Sequence, residues 1–225
     1  MTTGSVARRG WFITFEGGEG AGKSTQIVSL RTRLEQIGSR VVSTREPGGS
    51  PRAETIREFL LSGGGRPFGP LAEAMLFAAA RADHVAETIR PALADGATVL
   101  CDRFVDSTRV YQGALGLVPD EMITSMETLA TSGIKPDLTL ILDVPAELGL
   151  RRADFRRTRL GQAPDRFEEQ DLAYHEGIRR AFLVIAEADP ERCAVVDATA
   201  FEDEVSAAIW HVVTSRLRGI SKSPR

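Results

Sequence analysis

Eight residues, Gly17-Gly18-Glu19-Gly20-Ala21-Gly22-Lys23-Ser24, constrain this chain more than any others. They match G-x-x-x-x-G-K-[ST] and follow the strand-like run at residues 11 to 16. Beyond them Ile27, Leu30, Leu34 and Ile37 recur at spacings of three, four and three, which predicts one face of a helix ended by Gly38. Strand, glycine-rich turn and helix form a phosphate cradle, because glycines let successive N–H groups converge on phosphate oxygens and the helix N-terminus adds partial positive charge. In a chain of this composition the motif arises by chance roughly 0.004 times. The motif implies that Gly17 to Thr25 hold ATP, that Lys23 reaches the β and γ phosphates, and that Ser24 ligates Mg²⁺.

A cradle of this kind needs a parallel sheet behind it. Short apolar runs at 11–16, 40–44, 97–102, 138–143 and 193–197 alternate with helical stretches, the pattern of an α/β fold. The 225 residues allow one α/β domain or two small ones; no linker divides them, so the expectation is a single domain over 1–225. The run SGGGRPFGP from Ser62 to Pro70 predicts a surface loop. Residues 151–166, with six Arg, predict a helix end and a mobile basic lid, and about 218–225 a frayed tail. The last helix is expected to start with Thr199 and Glu202 in capping-box spacing and to bury Val205, Ala208, Ile209, Val212 and Val213.

Charge excludes some functions. The 28 basic and 31 acidic residues give a net −3, which opposes a general nucleic-acid binder. Of the 28 basic residues only Lys23, Lys135 and Lys222 are lysines; a compact ammonium at Lys23 fits between phosphates where a forked guanidinium would not. Cys101 and Cys193 lie far apart without metal-like spacing, which fits a reduced, cytoplasmic chain. The apolar run Trp11 to Phe15 is too short for a signal peptide to be expected, and no apolar run approaches the roughly 20 residues of a membrane span. His84, His175 and His211 show no ligand spacing and are read as non-catalytic.

A second signal accompanies the cradle: the run TVLCD ends at Asp102, an acidic residue positioned to hold the Mg²⁺ shell, followed by Arg103. Further blocks then appear in order: TREPGG (Thr44 to Gly49), EAMLFAAAR (Glu73 to Arg81), DRFVDSTRVYQG (Asp102 to Gly113), PDLTLILDV (Pro136 to Val144) and DRFE (Asp165 to Glu168). With FEGGEGAGKST, these resemble the thymidylate kinase family over nearly the whole chain.

The resemblance implies a P-loop NTPase fold with a five-stranded parallel sheet, helices on both faces and a short lid, usually assembled as a homodimer. It also implies transfer of the γ-phosphoryl of ATP to dTMP, giving dTDP and ADP for dTTP biosynthesis. By resemblance, Arg103 grips the acceptor phosphate, and Arg57 and Arg45 are further candidates. Phe77 resembles the ring stacking on thymine, and Arg81 the donor to a base carbonyl. Thr108 and Gln112 line the other base edge, Tyr111 packs near the deoxyribose, and Glu19 and Glu46 look like acidic residues near the acceptor sugar and metal. The P-loop lacks the arginine some members carry there, so the chain resembles the type whose lid supplies it. Candidates are Arg151, Arg152, Arg156, Arg157, Arg159 and Arg166, with Arg156 and Arg157 taken forward as catalytic. Arg109 departs from the family pattern and is expected at the dimer contact or the pocket rim.

The nearest rival is a kinase for another nucleotide or a deoxynucleoside, opposed by Phe77, Arg81 and Gln112. A GTPase would carry Asn-Lys-x-Asp, and no lysine here follows Asn. A DNA motor would show a basic surface and further ATPase motifs.

Overall fold

The computed structural model describes residues 9–115, 118–161, 167, 170–217 and 220. Five strands, β1 (Phe12–Glu16), β2 (Val41–Arg45), β3 (Thr98–Asp102), β4 (Leu138–Asp143) and β5 (Cys193–Asp197), form one sheet in the order β2-β3-β1-β4-β5. Every pairing is parallel. A central β1 buried on both faces explains its near-continuous apolar sequence.

Strand alternation divides its residues. Ile13 and Phe15 join the core with Leu30 and Leu34 of α1 (Lys23–Gln36) and Val205, Ile209 and Val213 of α9 (Glu202–Arg216). Phe12 faces the other way, against Phe104 and Val105. Glu16, four residues on, emerges on that same second face and is fully buried. The second face is covered by the turn Val85–Ile89 that follows α3 (Gly69–His84), by α4 (Arg90–Ala94) and α5 (Val105–Thr108), and under β4 by α8 (Leu172–Ala188). Around the rim lie α2 (Pro51–Leu61), α6 (Asp120–Thr131) and α7 (Ala146–Leu160). The α/β expectation with helices on both faces therefore holds.

Several local expectations are corrected. Thr199 does not open α9: its hydroxyl and amide turn back to Asp197, at 2.7 and 2.8 Å, and Phe201 caps the helix with Glu204. Ala208 is exposed, and Ser206 is buried in its place against Ser29. The 62–70 loop contains a 3₁₀ turn at Arg66–Phe68 and runs into α3 at Gly69. Two wider π-helical turns, Val85–Ile89 and Arg109–Ala114, interrupt the helical stretches. Residues 151–160 continue α7 as helix, while 162–166 lie outside the described residues. In the tail, Ile220 is buried in the core, and 218–219 and 221–225 lie outside the described residues.

Candidate active site

A cleft of about 670 Å³ opens at the carboxyl ends of β1 and β3, where an open α/β sheet places its ligands. The loop from Gly17 to Gly22 forms its floor, with Gly17, Gly20 and Gly22 at φ 131°, 64° and 89°. At Gly20 glycine is required twice. Its φ is left-handed, and a methyl group there would stand 1.9 Å from the Gly149 carbonyl oxygen of α7. Lys23 Nζ donates to the Gly17 and Gly18 carbonyls, at 3.1 and 2.9 Å. Burial and the nearby Arg103 push Lys23 below the ordinary lysine range, while Glu19 and Asp102 hold part of its charge in place. Ser24 Oγ donates to Asp102 Oδ2 at 2.9 Å, so the P-loop hydroxyl and the acid ending β3 meet across the sheet. Glu19, Ala21 and Thr25 also line the cleft.

Arg103 stands at the centre. Its Nη2 donates to Glu19 Oε1 at 2.7 Å, and its Nη1 donates to the Gly17 carbonyl at 3.2 Å and Ser107 Oγ at 3.1 Å. The guanidinium lies 5.0 Å from the centre of the Tyr111 ring, and the Tyr111 hydroxyl donates to Glu19 at 3.3 Å. Burial alone would push Glu19 up, but Arg103 and Lys23 outweigh it and hold its carboxyl below the usual range. Arg103 itself keeps its proton against burial because the Glu19 and Asp102 carboxylates lie beside it. Burial raises Tyr111, which stays neutral at physiological pH.

On the far wall, Arg81 of α3 is a buried cation with a carboxylate partner. Its Nε donates to Glu46 Oε2 at 2.7 Å, and its Nη2 donates to Thr108 Oγ1 at 2.8 Å and the Phe104 carbonyl at 3.1 Å. Among the described residues Nη1 has no hydrogen-bond partner, and Arg81, Phe77, Thr108 and Gln112 all line the cleft. Behind Glu46, His84 bonds to its Oε1 at 2.9 Å and to Thr44 Oγ1 at 2.7 Å. With the carboxylate as acceptor, Nδ1 carries the proton and Nε2 accepts from Thr44. Arg57 donates to the Pro47 carbonyl at 2.7 Å and lines the cleft, as does Arg45, paired with Glu54 at 3.1 Å.

The arginines of α7 separate. Arg156 lines the cleft. Arg157 is not in the cleft wall and pairs with Asp154 at 2.7 Å. Arg151 pairs with Glu147, and Arg159 lies against the Phe155 ring. Arg152 is corrected from lid candidate to a clamp on the loop after β5, donating to the Ala198 and Thr199 carbonyls at 2.7 and 3.1 Å. Arg166 lies outside the described residues. Arg109 pairs with both oxygens of Glu127 on α6 at 2.9 Å, a contact within the chain rather than at the pocket rim.

The family model described as thymidylate kinase matches residues 15–209. Thymidylate kinases of Bradyrhizobium sp. (strain BTAi1) and Nitrobacter winogradskyi are 58% and 55% identical over 209 and 210 residues. These alignments cover 93% of this chain and 92% and 90% of the two relatives. The chain belongs to the thymidylate kinase family. A crystal structure of thymidylate kinase from Ehrlichia chaffeensis superposes with a TM-score of 0.73 at 30% identity, covering 92% of this chain and 100% of that one.

For a thymidylate kinase the donor set at the P-loop suits a small hard cation: one hydroxyl and one carboxylate, both oxygen, already adjacent. Among the described residues no cluster of three or more His, Cys, Asp or Glu forms a separate metal site, and no helix is long and apolar enough to cross a membrane. Four residues that sequence reasoning passed over support the site. Gly149 lets α7 touch the P-loop, and His84 orients Glu46. Glu16 and Ser107 hold the Arg103 turn. Glu16 and Ser107 lay inside the FEGGEGAGKST and DRFVDSTRVYQG blocks without being singled out, and neither spacing nor residue type marked Gly149 or His84.

Proposed function

We propose that this chain is a Mg²⁺-dependent thymidylate kinase of the type whose catalytic arginine comes from the lid side, transferring the γ-phosphoryl of ATP to dTMP. One observation carries the substrate assignment: the buried Arg81, fixed by Glu46 and Thr108 with a donor left toward a cleft it shares with Phe77 and Gln112. A fixed guanidinium beside an aromatic ring suits a planar base with a carbonyl edge, and the Gln112 amide can both donate and accept at the N3–H and neighbouring carbonyl.

A dTMP phosphate oxygen attacks the γ phosphorus and the β–γ bridging oxygen leaves with ADP. The nucleophile is already anionic, so no side-chain base is required. Catalysis then consists of bringing two anions together and stabilising charge on the moving group. Arg103 and Arg57 hold the acceptor phosphate, Glu19 and Tyr111 orient Arg103 and meet the sugar, and Lys23 neutralises the β and γ phosphates. Arg156, which lines the cleft, supplies positive charge over the transferred group, and Arg157 next to it on α7 adds to the positive field from outside the cleft wall. Ser24 and Asp102 would hold Mg²⁺, which neutralises charge on the β and γ oxygens when bound. Leu71 and Met75 of α3 and Met122 of α6 are exposed apolar side chains, and this face supports a homodimer. The chain acts in the cytoplasm as a single domain.

The purified chain with ATP, Mg²⁺ and dTMP should yield dTDP and ADP in equal amounts, and Lys23→Ala should abolish turnover while leaving the thermal transition in place. No dTDP from the folded wild-type chain would contradict the proposal.

A further inference from the structure

Arg103 carries a side chain at φ 68°, in the left-handed region unfavourable to any residue with a Cβ. Such a conformation persists only where the surroundings fix it. Here the fixing group is Glu16, fully buried at the end of β1. Its Oε1 accepts from the Phe104 amide at 2.7 Å and the Ser107 amide at 3.3 Å, and its Oε2 accepts from the Ser107 hydroxyl at 2.6 Å. The same hydroxyl accepts from Arg103 Nη1 at 3.1 Å. One carboxyl group therefore ties both amides beyond the left-handed residue and the hydroxyl that touches its guanidinium. The backbone of Arg103 is pinned to the same strand, its N–H donating to the Phe15 carbonyl at 2.9 Å.

An apolar side chain would fill this position without the cost of burying a carboxyl group. Among the charged groups facing Glu16, Asp106 opposes its ionised form, and Arg103 and Lys23 favour it. Glu16 does not itself line the cleft, but the Phe104 and Ser107 it holds do, and the metal-binding pair Ser24 and Asp102 bond to each other. Its contacts all lead to the turn that aims Arg103.

We propose that Glu16 is a positioning residue for phosphoryl transfer: by holding Phe104 and Ser107 it keeps Arg103 in the left-handed turn that points the guanidinium at the acceptor phosphate. This rests on the reading of Arg103 as the acceptor-phosphate ligand given above.

The test is calorimetric binding of dTMP and of thymidine, which lacks the phosphate, together with steady-state kinetics. Glu16→Gln keeps the shape of the side chain and should lower dTMP affinity and kcat/KM roughly tenfold while leaving thymidine affinity within about twofold. In an Arg103→Ala background the same substitution should cost less than about twofold further, because the two act through one group. Ser107→Ala breaks the bridge from the other side without touching β1, should show the same preferential loss of dTMP binding, and carries the test if Glu16→Gln does not fold. Equal losses for dTMP and thymidine, or a full additional loss in the Arg103→Ala background, would mean a merely structural role and overturn the inference. A Glu16→Gln chain with wild-type kinetics beside a crippled Arg103→Ala chain overturns it alone. Unchanged dTMP affinity in Arg103→Ala removes the reading beneath it, and the inference with it.

Discussion

Replacing Glu46 by Gln should destabilise the protein far more than its single-atom change suggests. Arg81 and Glu46 have side chains 3% and 4% exposed, so neither charge is compensated by water. The amide can still satisfy its hydrogen bonds. Its oxygen accepts from Arg81 Nε, and its NH₂ donates to His84 Nδ1 once the imidazole moves its proton to Nε2 and donates to Thr44. What is lost is the negative charge beside a buried guanidinium, and breaking a buried pair from one side costs about 3 kcal/mol or more. For a chain of this length that is a fall in Tm of roughly 6–12 °C. Thermal and urea unfolding of Glu46→Gln, Arg81→Gln and the double variant would measure it. The double variant should recover about 1.5 kcal/mol or more relative to the sum of the singles, because it leaves no orphaned charge. A Glu46→Gln chain within about 0.5 kcal/mol of wild type, or additive singles, would refute the reasoning.

Gly149→Ala should destabilise the protein and weaken ATP binding. Alanine normally gains about 1 kcal/mol over glycine in a helix. Here its methyl would lie 2.3 Å from the Glu19 carbonyl oxygen, and overpacking of roughly 1–3 kcal/mol wins. A rise in Tm with unchanged KM for ATP would show that the P-loop tolerates the displacement. A pH effect should come from Glu16, where burial and then Asp106 raise the pKa from 4.5 to about 7. The folded state holds this proton more tightly than the unfolded chain. The contribution is therefore complete below about pH 4.5 and is lost as pH rises through about 7, a swing of about 3 kcal/mol. Urea unfolding from pH 5 to 8.5 should show wild type losing stability relative to Glu16→Gln; parallel curves would count against it.

The sheet was legible because its information is local. Strands buried on both faces appear as short apolar runs, and all five ends fell within a residue of expectation. The P-loop was legible because phosphate geometry demands particular residue types in sequence. Features that depend on distant partners were not. Thr199 looked like a cap, but Asp197, two residues back, captures its hydroxyl first. His84 lacked ligand spacing, and its part is to join Glu46 to Thr44, some 40 residues away. Arg152 resembled its neighbours on a basic stretch, yet it lies one turn before Arg156 on the same face of α7, which puts it beside the loop after β5 and Arg156 at the cleft. The π-helical turn carrying Tyr111 and Gln112 has no local signature, because it arises from how that segment packs.

The most direct test of the thymine-pocket account is kcat/KM for dTMP against UMP, CMP and AMP under one set of ATP and Mg²⁺ concentrations. The account predicts that dTMP is phosphorylated far faster than the other three. Equal rates with UMP would contradict it.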